Sequence, residues 1–319
     1  DESDIVVFVI NGNEFQLSDD YSFETQIYVP IGESQVTITA VDEWENIKTE
    51  TIKITRSYDK NNYLKAANEG LNPTVILSKK NKNRYALIFG VNHYETLSNL
   101  PFAENDANFF YDYAVNTLGI PQENIVRVVN PELKDMYIAT NQIQKMINEQ
   151  SDLFVYYAGH GLNYQSDNRL LASDFDVSVI QQTSLLQSEF MNMISKANPN
   201  KVALIFDTCF SGANREGKQL VDARFISIAQ SQINIPNNFS IISSSGDLEW
   251  SRDHPDLQHG LFTYHFLKGL EKEADANNDK QITLNELFSY TQRNVQQDSN
   301  FQQNPEISLN SDYLLVDWN

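Results

Sequence analysis

The chain has one cysteine, Cys209, and its neighbours indicate what the thiol could do. Cys209 follows the apolar run 202–206, and His160 follows the apolar run 153–158. A thiol becomes a nucleophile when a base takes its proton, and a neighbouring imidazole can lower a cysteine pKa from about 8.5 to about 3.5 to 7.5. Either residue alone is typical of a buried core or of a turn. Together they predict nucleophilic catalysis by a Cys-His dyad.

Glycine brackets the histidine at positions 159 and 161. Gly161 has no Cβ that would block the carbonyl group of a substrate. Its backbone N–H could join that of Cys209 in an oxyanion hole, where each donor is worth about 2.7 to 4 kcal/mol. We therefore expect Gly161 to be a catalytic residue beside His160 and Cys209, as a backbone donor to the oxyanion.

The elements that must position these residues belong to an alternation of strands and helices that begins at residue 84. Apolar, strand-like runs occupy 85–89, 125–129, 153–157, 202–206 and 239–242, and amphipathic helical stretches are expected at about 105–118, 140–150, 184–197 and 260–273. Near-continuous apolar strands between helices predict a parallel sheet covered on both faces. Ligands of such sheets bind at the carboxyl ends of the strands. This places His160 and Cys209 at one edge of the sheet.

The preceding residues have a different pattern. Residues 1–56 alternate polar and apolar side chains in short strands separated by turns, which predicts a small all-β domain with strands at 5–10, 25–29, 36–41 and 49–55. Their pattern resembles bacterial immunoglobulin-like modules, with the segment 40–42 at the place of a common A-x-D motif. Residues 57–83 are polar and are predicted to be a linker. The expected order is an immunoglobulin-like domain over 1–56, the linker, and an α/β domain over 84–319.

Composition excludes several classes of function. A formal net charge of −20 argues against binding to nucleic acid, because phosphate backbones attract basic surfaces. No apolar run approaches the roughly 18 residues of a membrane span. A single cysteine excludes an internal disulfide and a multi-thiolate zinc site. The acidity and the immunoglobulin-like pattern favour an extracytoplasmic or secreted protein over a cytoplasmic one.

A twelve-residue loop over 275–286 has the spacing of an EF-hand calcium site. Its sixth position is Lys280 where glycine is expected, and a side chain in the left-handed conformation costs about 1 to 2 kcal/mol. Residues 283–286 also read as the capping box of a following helix, so both interpretations stay open. The candidate ligands of calcium, the only metal that the sequence suggests, are Asp275, Asn277, Asp279, Gln281 and Glu286.

Several motifs in order resemble the caspase-like cysteine peptidases, in particular their bacterial, metacaspase-type branch. The likeness covers 84 to about 318 and implies a caspase-like three-layer α/β sandwich in which Cys209 and His160 are the catalytic dyad and no cofactor is required. His160 precedes Cys209 by 49 residues, in agreement with the spacing of about 50 known for caspases. The motifs lie at 85–94, 102–107, 156–161, 206–212 and 259–263.

The nucleophile signature departs from that of true caspases, which have Gln-Ala-Cys where this chain has Asp-Thr-Cys. Metacaspase-type relatives cleave after arginine or lysine by means of acidic residues, and the matching positions here are Asp106 and Asp207. A cation about 4 Å from one carboxylate gains roughly 4 kcal/mol at an effective dielectric constant of 20. The resemblance thus implies peptide or protein substrates with basic residues. The alternatives are a carboxylate at a helix N-terminus for Asp106 and a strand-end cap for Asp207.

Two other functions remain open from the sequence. A caspase-like fold could serve as a non-catalytic binding or adhesion module, although the intact dyad argues against this. A thiol-dependent hydrolase of non-peptide acyl bonds would use the same two residues. The polar segment 213–224 contains three basic residues, and we expect an exposed loop there that the enzyme could cut.

Overall fold

The computed structural model divides the chain into two units, Asp1–Tyr63 and Leu64–Asn319. Each unit is described here by itself. The residues that the structure describes are 5–10, 13–14, 17–18, 22, 32–44, 46–56, 70–164, 167–210, 235–246, 249–254, 256–309 and 312–319.

The first unit contains a four-stranded antiparallel sheet. Its strands are β1 (Ile5–Ile10), β2 (Asn13–Glu14), β3 (Gly32–Asp42) and β4 (Ile47–Arg56), in the order β2-β1-β3-β4. Phe8, Ile10 and Val36 form its small buried cluster. The small all-β region is therefore confirmed. A further strand predicted at 25–29 lies outside the described residues, and the immunoglobulin-like topology stays a prediction.

The second unit is built on a six-stranded sheet in the order β16-β12-β11-β7-β5-β6. All neighbouring pairs are parallel except β12 with β16. The central strands are nearly continuous buried apolar runs, as a sheet covered on both faces requires. The predicted α/β class with a mainly parallel sheet is confirmed. These six strands are β5 (Arg84–Gly90), β6 (Ile125–Val129), β7 (Asp152–Ala158), β11 (Lys201–Asp207), β12 (Phe239–Ser243) and β16 (Glu306–Ser308).

Shorter strands accompany the sheet. One group forms a three-stranded antiparallel sheet in the order β10-β9-β8, and two further pairs are the hairpin β13-β14 and the pair β15-β17. Their bounds are β8 (Gly161–Tyr164), β9 (Asp167–Leu171), β10 (Ser184–Leu186), β13 (Asp253–His254), β14 (His259–Gly260), β15 (Gln281–Thr283) and β17 (Leu314–Asp317).

The helices are α1 (Ala103–Asn116), α2 (Leu133–Met146), α3 (Gln187–Ser195), α4 (Leu261–Lys268) and α5 (Leu284–Asp298). They fall into two groups that contact the sheet. Helices α1, α4 and α5 pack together, while α2 packs with α3, an arrangement that suits a three-layer sandwich. A π-helical turn over Gly269–Glu273 follows α4. In the described part of the chain, no helix is both long and apolar enough to cross a membrane.

Helix α2 begins seven residues before the predicted start at 140. The reason is a capping box, in which Glu132 and Asp135 satisfy the first free backbone N–H groups of the helix. The buried side chains of the helix include Leu133 and Met136, upstream of the apolar pattern used for the prediction. Two other expected helices are shorter than predicted, because 184–186 forms β10 and the turn after Lys268 is π-helical.

Residues 70–83 lie within the predicted linker but belong to the second unit and pack against its core. The Lys268 ammonium donates to the carbonyl of Gly70 at 3.1 Å, and the Ser78 hydroxyl donates to the carbonyl of Thr117 at 2.6 Å. Two residues of this segment, Leu71 and Ile76, are buried in the main core. This part of the chain is thus anchored to the α/β unit before β5 begins.

Candidate active site

Two neighbouring strands bring the predicted dyad to one edge of the sheet. Strand β7 pairs with β11 in parallel register, and Ala158 lies opposite Asp207. His160 and Cys209 each follow those paired strand ends by two residues. The loop carbonyl of Phe210 accepts a hydrogen bond from the Asn163 backbone N–H at 2.9 Å, which ties the two loops together. The sheet therefore places the imidazole loop beside the thiol loop, as the sequence predicts.

Gly161 lies directly against the nucleophile loop. A Cβ at this position would stand 2.6 Å from Thr208 Oγ1, 2.9 Å from Phe210 Cδ1 and 3.1 Å from the carbonyl oxygen of Cys209. No real side chain tolerates such distances without a shift of its neighbours. Glycine is thus required here by close packing of the two loops. Its role as an oxyanion donor stays a prediction.

The backbone and ring of His160 are held by two tyrosines and a carbonyl. The His160 N–H donates to Tyr94 Oη at 2.7 Å, and the two rings are 4.7 Å apart between centroids. The His160 carbonyl accepts from Tyr157 Oη at 2.6 Å. Burial raises the pKa of Tyr157 well above its usual value, so its hydroxyl stays protonated as a donor.

The ring contact of His160 determines which nitrogen can act as a base. Nε2 lies 2.8 Å from the carbonyl oxygen of Ser98. Because a carbonyl only accepts, Nε2 must carry the hydrogen, and in the neutral ring the lone pair is then on Nδ1. The arrangement prepares Nδ1 to accept a proton. Tyr94, Ser98 and Tyr157 are positioning residues that the sequence alone did not single out.

The thiol of Cys209 is covered by the segment that follows β12. The backbone N–H of Ser251 donates to Cys209 Sγ, and only 5% of the Cys209 surface is exposed. The Ser251 hydroxyl contacts that of Ser244, which donates to the carbonyl of Thr208 at 3.1 Å. Gln303 supports this layer through its amide, 2.9 Å from the Ser244 carbonyl. Cys209 is therefore packed against this segment and has little contact with solvent.

Both predicted specificity carboxylates are completely buried. Asp106 lies in the first turn of α1, and Asp207 is the last residue of β11. Asp106 Oδ1 is 2.7 Å from His259 Nδ1, and Oδ2 accepts from the Gly260 N–H at 3.0 Å. Asp207 Oδ2 accepts from Thr263 Oγ1 at 2.7 Å. One short segment, 259–263, therefore contacts both carboxylates.

His259 differs from its sequence interpretation. The polar residues before His259 in the sequence predict a loop at this position, whereas the structure places His259 in β14 with 1% of its surface exposed. The expectation was wrong because the partner of His259, Asp106, lies 153 residues away and cannot be read from local polarity. The local signals were the motif at 259–263 and the position of the histidine, followed by glycine, at the start of an amphipathic helix.

The candidate calcium loop is held by its own hydrogen bonds. Asp275 accepts from the backbone N–H groups of Asp279 and Lys280, and Asp279 accepts from that of Gln281. Asn277 accepts from the Asp279 N–H at 2.8 Å. Lys280 adopts a φ of +64°, the left-handed conformation that the sixth position of an EF-hand loop demands.

The last candidate ligand, Glu286, serves the helix that follows. Its carboxylate accepts from the N–H of Thr283 at 3.0 Å, which forms the capping box of α5. Across the described ranges, no group of three or more His, Cys, Asp or Glu side chains is arranged to hold a metal ion. The calcium site stays a prediction, and no chemical step is assigned to it. The predicted cleavable segment 213–224 lies outside the described residues.

A family model described as a caspase domain matches residues 83–313. The chain is similar to the "Paracaspase" of Dictyostelium discoideum, with 23% identity over 207 residues, which are 64% of this chain and 48% of the relative. It is also similar to "Metacaspase-7" of Arabidopsis thaliana, with 23% identity over 170 residues, 50% of this chain and 41% of that relative. The chain thus spans less than half the length of these two relatives.

Solved structures share the architecture. The crystal structure of caspase-1 from Spodoptera frugiperda superimposes with a TM-score of 0.52 at 17% identity, over 75% of this chain and 90% of the other. A second structure, of pro-sf-caspase-1, gives a TM-score of 0.51 at 15% identity over 75% and 91%. At these identities the likeness concerns the fold alone. The predicted caspase-like fold is confirmed.

Proposed function

The chain belongs to the caspase-domain family, and on that premise we propose that it is a cysteine endopeptidase in which Cys209 is the nucleophile and His160 its base. The observation that carries this proposal is the parallel register of β7 and β11, which sets the two residues at equal distances beyond the paired strand ends. Convergence of a thiol and an imidazole at the ligand-binding edge of a sheet is what nucleophilic catalysis requires.

The proposed reaction uses only groups of this chain. The Cys209 thiol gives its proton to Nδ1 of His160, and the thiolate attacks the scissile carbonyl carbon. The oxyanion that forms is held by the backbone N–H groups of Cys209 and Gly161. The imidazolium then protonates the leaving amine as the C–N bond breaks, which leaves a thioester. Water, deprotonated by His160, hydrolyses the thioester and restores the thiol.

We place the specificity in Asp106 and Asp207, as in the metacaspase-type branch, and infer cleavage after arginine or lysine. Two carboxylates favour a buried cation and oppose a buried anion, so an aspartate side chain before the scissile bond is disfavoured. Asp207 ends β11 two residues before Cys209, and the segment 259–263 contacts both Asp207 and Asp106, which supports this assignment.

The test is a set of peptides that differ only in the residue before the scissile bond, assayed with and without calcium. Arginine or lysine peptides should be hydrolysed and the aspartate peptide should not. The Cys209→Ala variant is the control for contaminating proteases. Hydrolysis of esters without hydrolysis of peptides would favour the acyl-hydrolase alternative, and no turnover of any peptide with a fully reactive thiol would favour a non-catalytic module.

A further inference from the structure

We propose that His259 is a positioning residue of the specificity site, which fixes the orientation and the negative charge of Asp106 so that a basic substrate side chain can be selected. This inference rests on the proposed function and deepens it. It arises from the buried contact between the two side chains, which joins β14 to the first turn of α1.

The contact has the geometry of a strong hydrogen bond. His259 Nδ1 lies 2.7 Å from Asp106 Oδ1, and the next backbone N–H, that of Gly260, reaches the other carboxylate oxygen at 3.0 Å. Two donors from adjacent residues therefore hold both oxygens of one carboxylate. This bidentate arrangement gives the Asp106 carboxylate a single orientation.

The surroundings of His259 keep its ring in place. The ring of Phe109 meets it edge-on with centroids 4.8 Å apart. The side-chain amide of Asn105 donates to the carbonyl of Gln258 at 3.0 Å, and Gln258 itself has a φ of +57°. A non-glycine residue in the left-handed region is uncommon and is held there by its contacts. The backbone before His259 is thus fixed in a turn that directs the imidazole at Asp106.

Burial makes these donors necessary. Asp106 has no exposed surface and His259 has 1%, so water does not stabilise a charge at this place. A buried carboxyl group favours its neutral form unless donors stabilise the carboxylate. Loss of the Nδ1–H donor would therefore favour the neutral acid at Asp106. A neutral acid no longer attracts a guanidinium group over an uncharged group of the same shape.

Asp207, the second carboxylate, accepts its hydrogen bond from Thr263 and not from His259, so the contributions of the two carboxylates can be tested separately. Thr263 contacts Asp207, and its hydroxyl is also 2.6 Å from Tyr156 Oη, so this pair has its own support within the core. A change at His259 removes the side-chain donor of Asp106, leaves the Gly260 N–H on its other oxygen, and leaves the Thr263 donor of Asp207 in place. The expected result is a partial loss of charge selection, with the dyad of Cys209 and His160 intact.

The experiment compares two peptides that differ only in carrying arginine or its neutral isostere citrulline before the scissile bond. We expect His259→Leu to lower the arginine-to-citrulline ratio of kcat/KM by about tenfold or more, the range for a hydrogen bond to a charged group. His259→Asn places an amide N–H near the position of Nδ1 and should keep the ratio within about twofold of wild type. His254→Leu, at the register partner of His259 in the same hairpin, is the matched control and should also keep it.

Equal losses on both peptides in His259→Leu would overturn the inference, because they would indicate a merely structural role. An Asn variant as poor as the Leu variant would overturn it too. If the Leu variant does not fold, His259→Gln takes its place. Its amide donor stands near the position of Nε2 and not of Nδ1, so the arginine-to-citrulline ratio of kcat/KM should fall by the same factor. A wild-type enzyme without any preference for arginine refutes the proposed specificity and this inference with it. A wild-type preference that the His259 variants leave unchanged refutes the inference alone.

Discussion

Ala158 and Asp207 end two neighbouring parallel strands and lie opposite each other in register. The next two residues of each chain segment turn out of the sheet, so His160 and Cys209 leave it at the same level. Gly161 packs so tightly against the Cys209 loop that a Cβ would meet its atoms at 2.6 to 3.1 Å. The segments that carry His160 and Cys209 therefore meet in a tightly packed junction at the edge of the sheet.

Substitution of the thiol should abolish activity with little effect on stability. Cys209→Ala removes the nucleophile, and we expect kcat/KM for an arginine peptide to fall by at least about a hundredfold. Although Cys209 is buried, the substitution removes a single sulfur atom, so the loss of stability should be about 1 kcal/mol and the melting temperature should stay close to that of wild type. Steady-state kinetics and thermal unfolding on the same preparation test both parts. Retention of wild-type turnover would refute the assignment of the nucleophile.

Gly161→Ala should impair catalysis through geometry alone. The added Cβ would stand 2.6 Å from Thr208 Oγ1, so the two active-site loops must separate. A displacement of about 1 Å can cost about a hundredfold in rate, and we expect a fall in kcat/KM of about tenfold to a hundredfold. Gly70→Ala is the matched control, because its Cβ would meet only side-chain atoms, the nearest at 3.2 Å. Equal activity of the two variants would contradict close packing at Gly161.

The backbone N–H of Ser251 should tune the reactivity of the thiol. A donor to sulfur stabilises the thiolate, so its removal should shift thiolate formation to higher pH. In Ser251→Pro this donor is absent, whereas Ser251→Ala retains it and loses only the hydroxyl. The pH dependence of alkylation by iodoacetamide distinguishes the two. We expect a higher midpoint in the proline variant alone, and an unchanged midpoint there would show that the contact does not act on the thiolate.

A buried histidine away from the site should make stability depend on pH. Burial lowers the pKa of His265 below its usual value, although the carboxylate of Asp298, 2.8 Å from Nε2, opposes this shift. The unfolded chain then binds more protons than the folded one, so stability is complete above about pH 6.5 and declines as the pH falls below that value.

His265→Gln should remove this source of acid sensitivity. The difference in melting temperature between about pH 7.5 and about pH 5.5 should become smaller than in wild type. His93→Gln replaces an exposed histidine in the loop after β5 and should leave that difference unchanged. A larger difference in the His265 variant would mean that the interaction with Asp298 outweighs burial.

The sequence alone was sufficient to place His160 and Cys209 at one edge of the sheet. The apolar runs before His160 and Cys209 define strands, and parallel strands end at one edge, so proximity follows from a local pattern. The start of α2 was not predictable from apolar periodicity, because its first turn is set by the capping pair Glu132 and Asp135.

The hydrogen-bond partners of Asp106 and Asp207 could not be predicted from local sequence patterns. The contact of His259 with Asp106 spans 153 residues, and that of Thr263 with Asp207 spans 56. Such pairs depend on how α4 packs beside α1, which hydrophobic periodicity does not specify. The contact of the Ser251 N–H with Cys209, 42 residues away, also depends on tertiary packing and could not be predicted from local sequence.

Covalent labelling of Cys209 tests the central claim most directly. The enzyme is incubated with a peptidyl acyloxymethyl ketone that carries arginine next to the reactive group, and with the aspartate analogue, and the modified residue is identified by peptide mass spectrometry. We predict one adduct per chain at Cys209 with the arginine reagent, none with the aspartate reagent, and strong loss of labelling in His160→Ala. Labelling by the aspartate reagent, or equal labelling in His160→Ala, would contradict an endopeptidase that uses this dyad and selects basic residues.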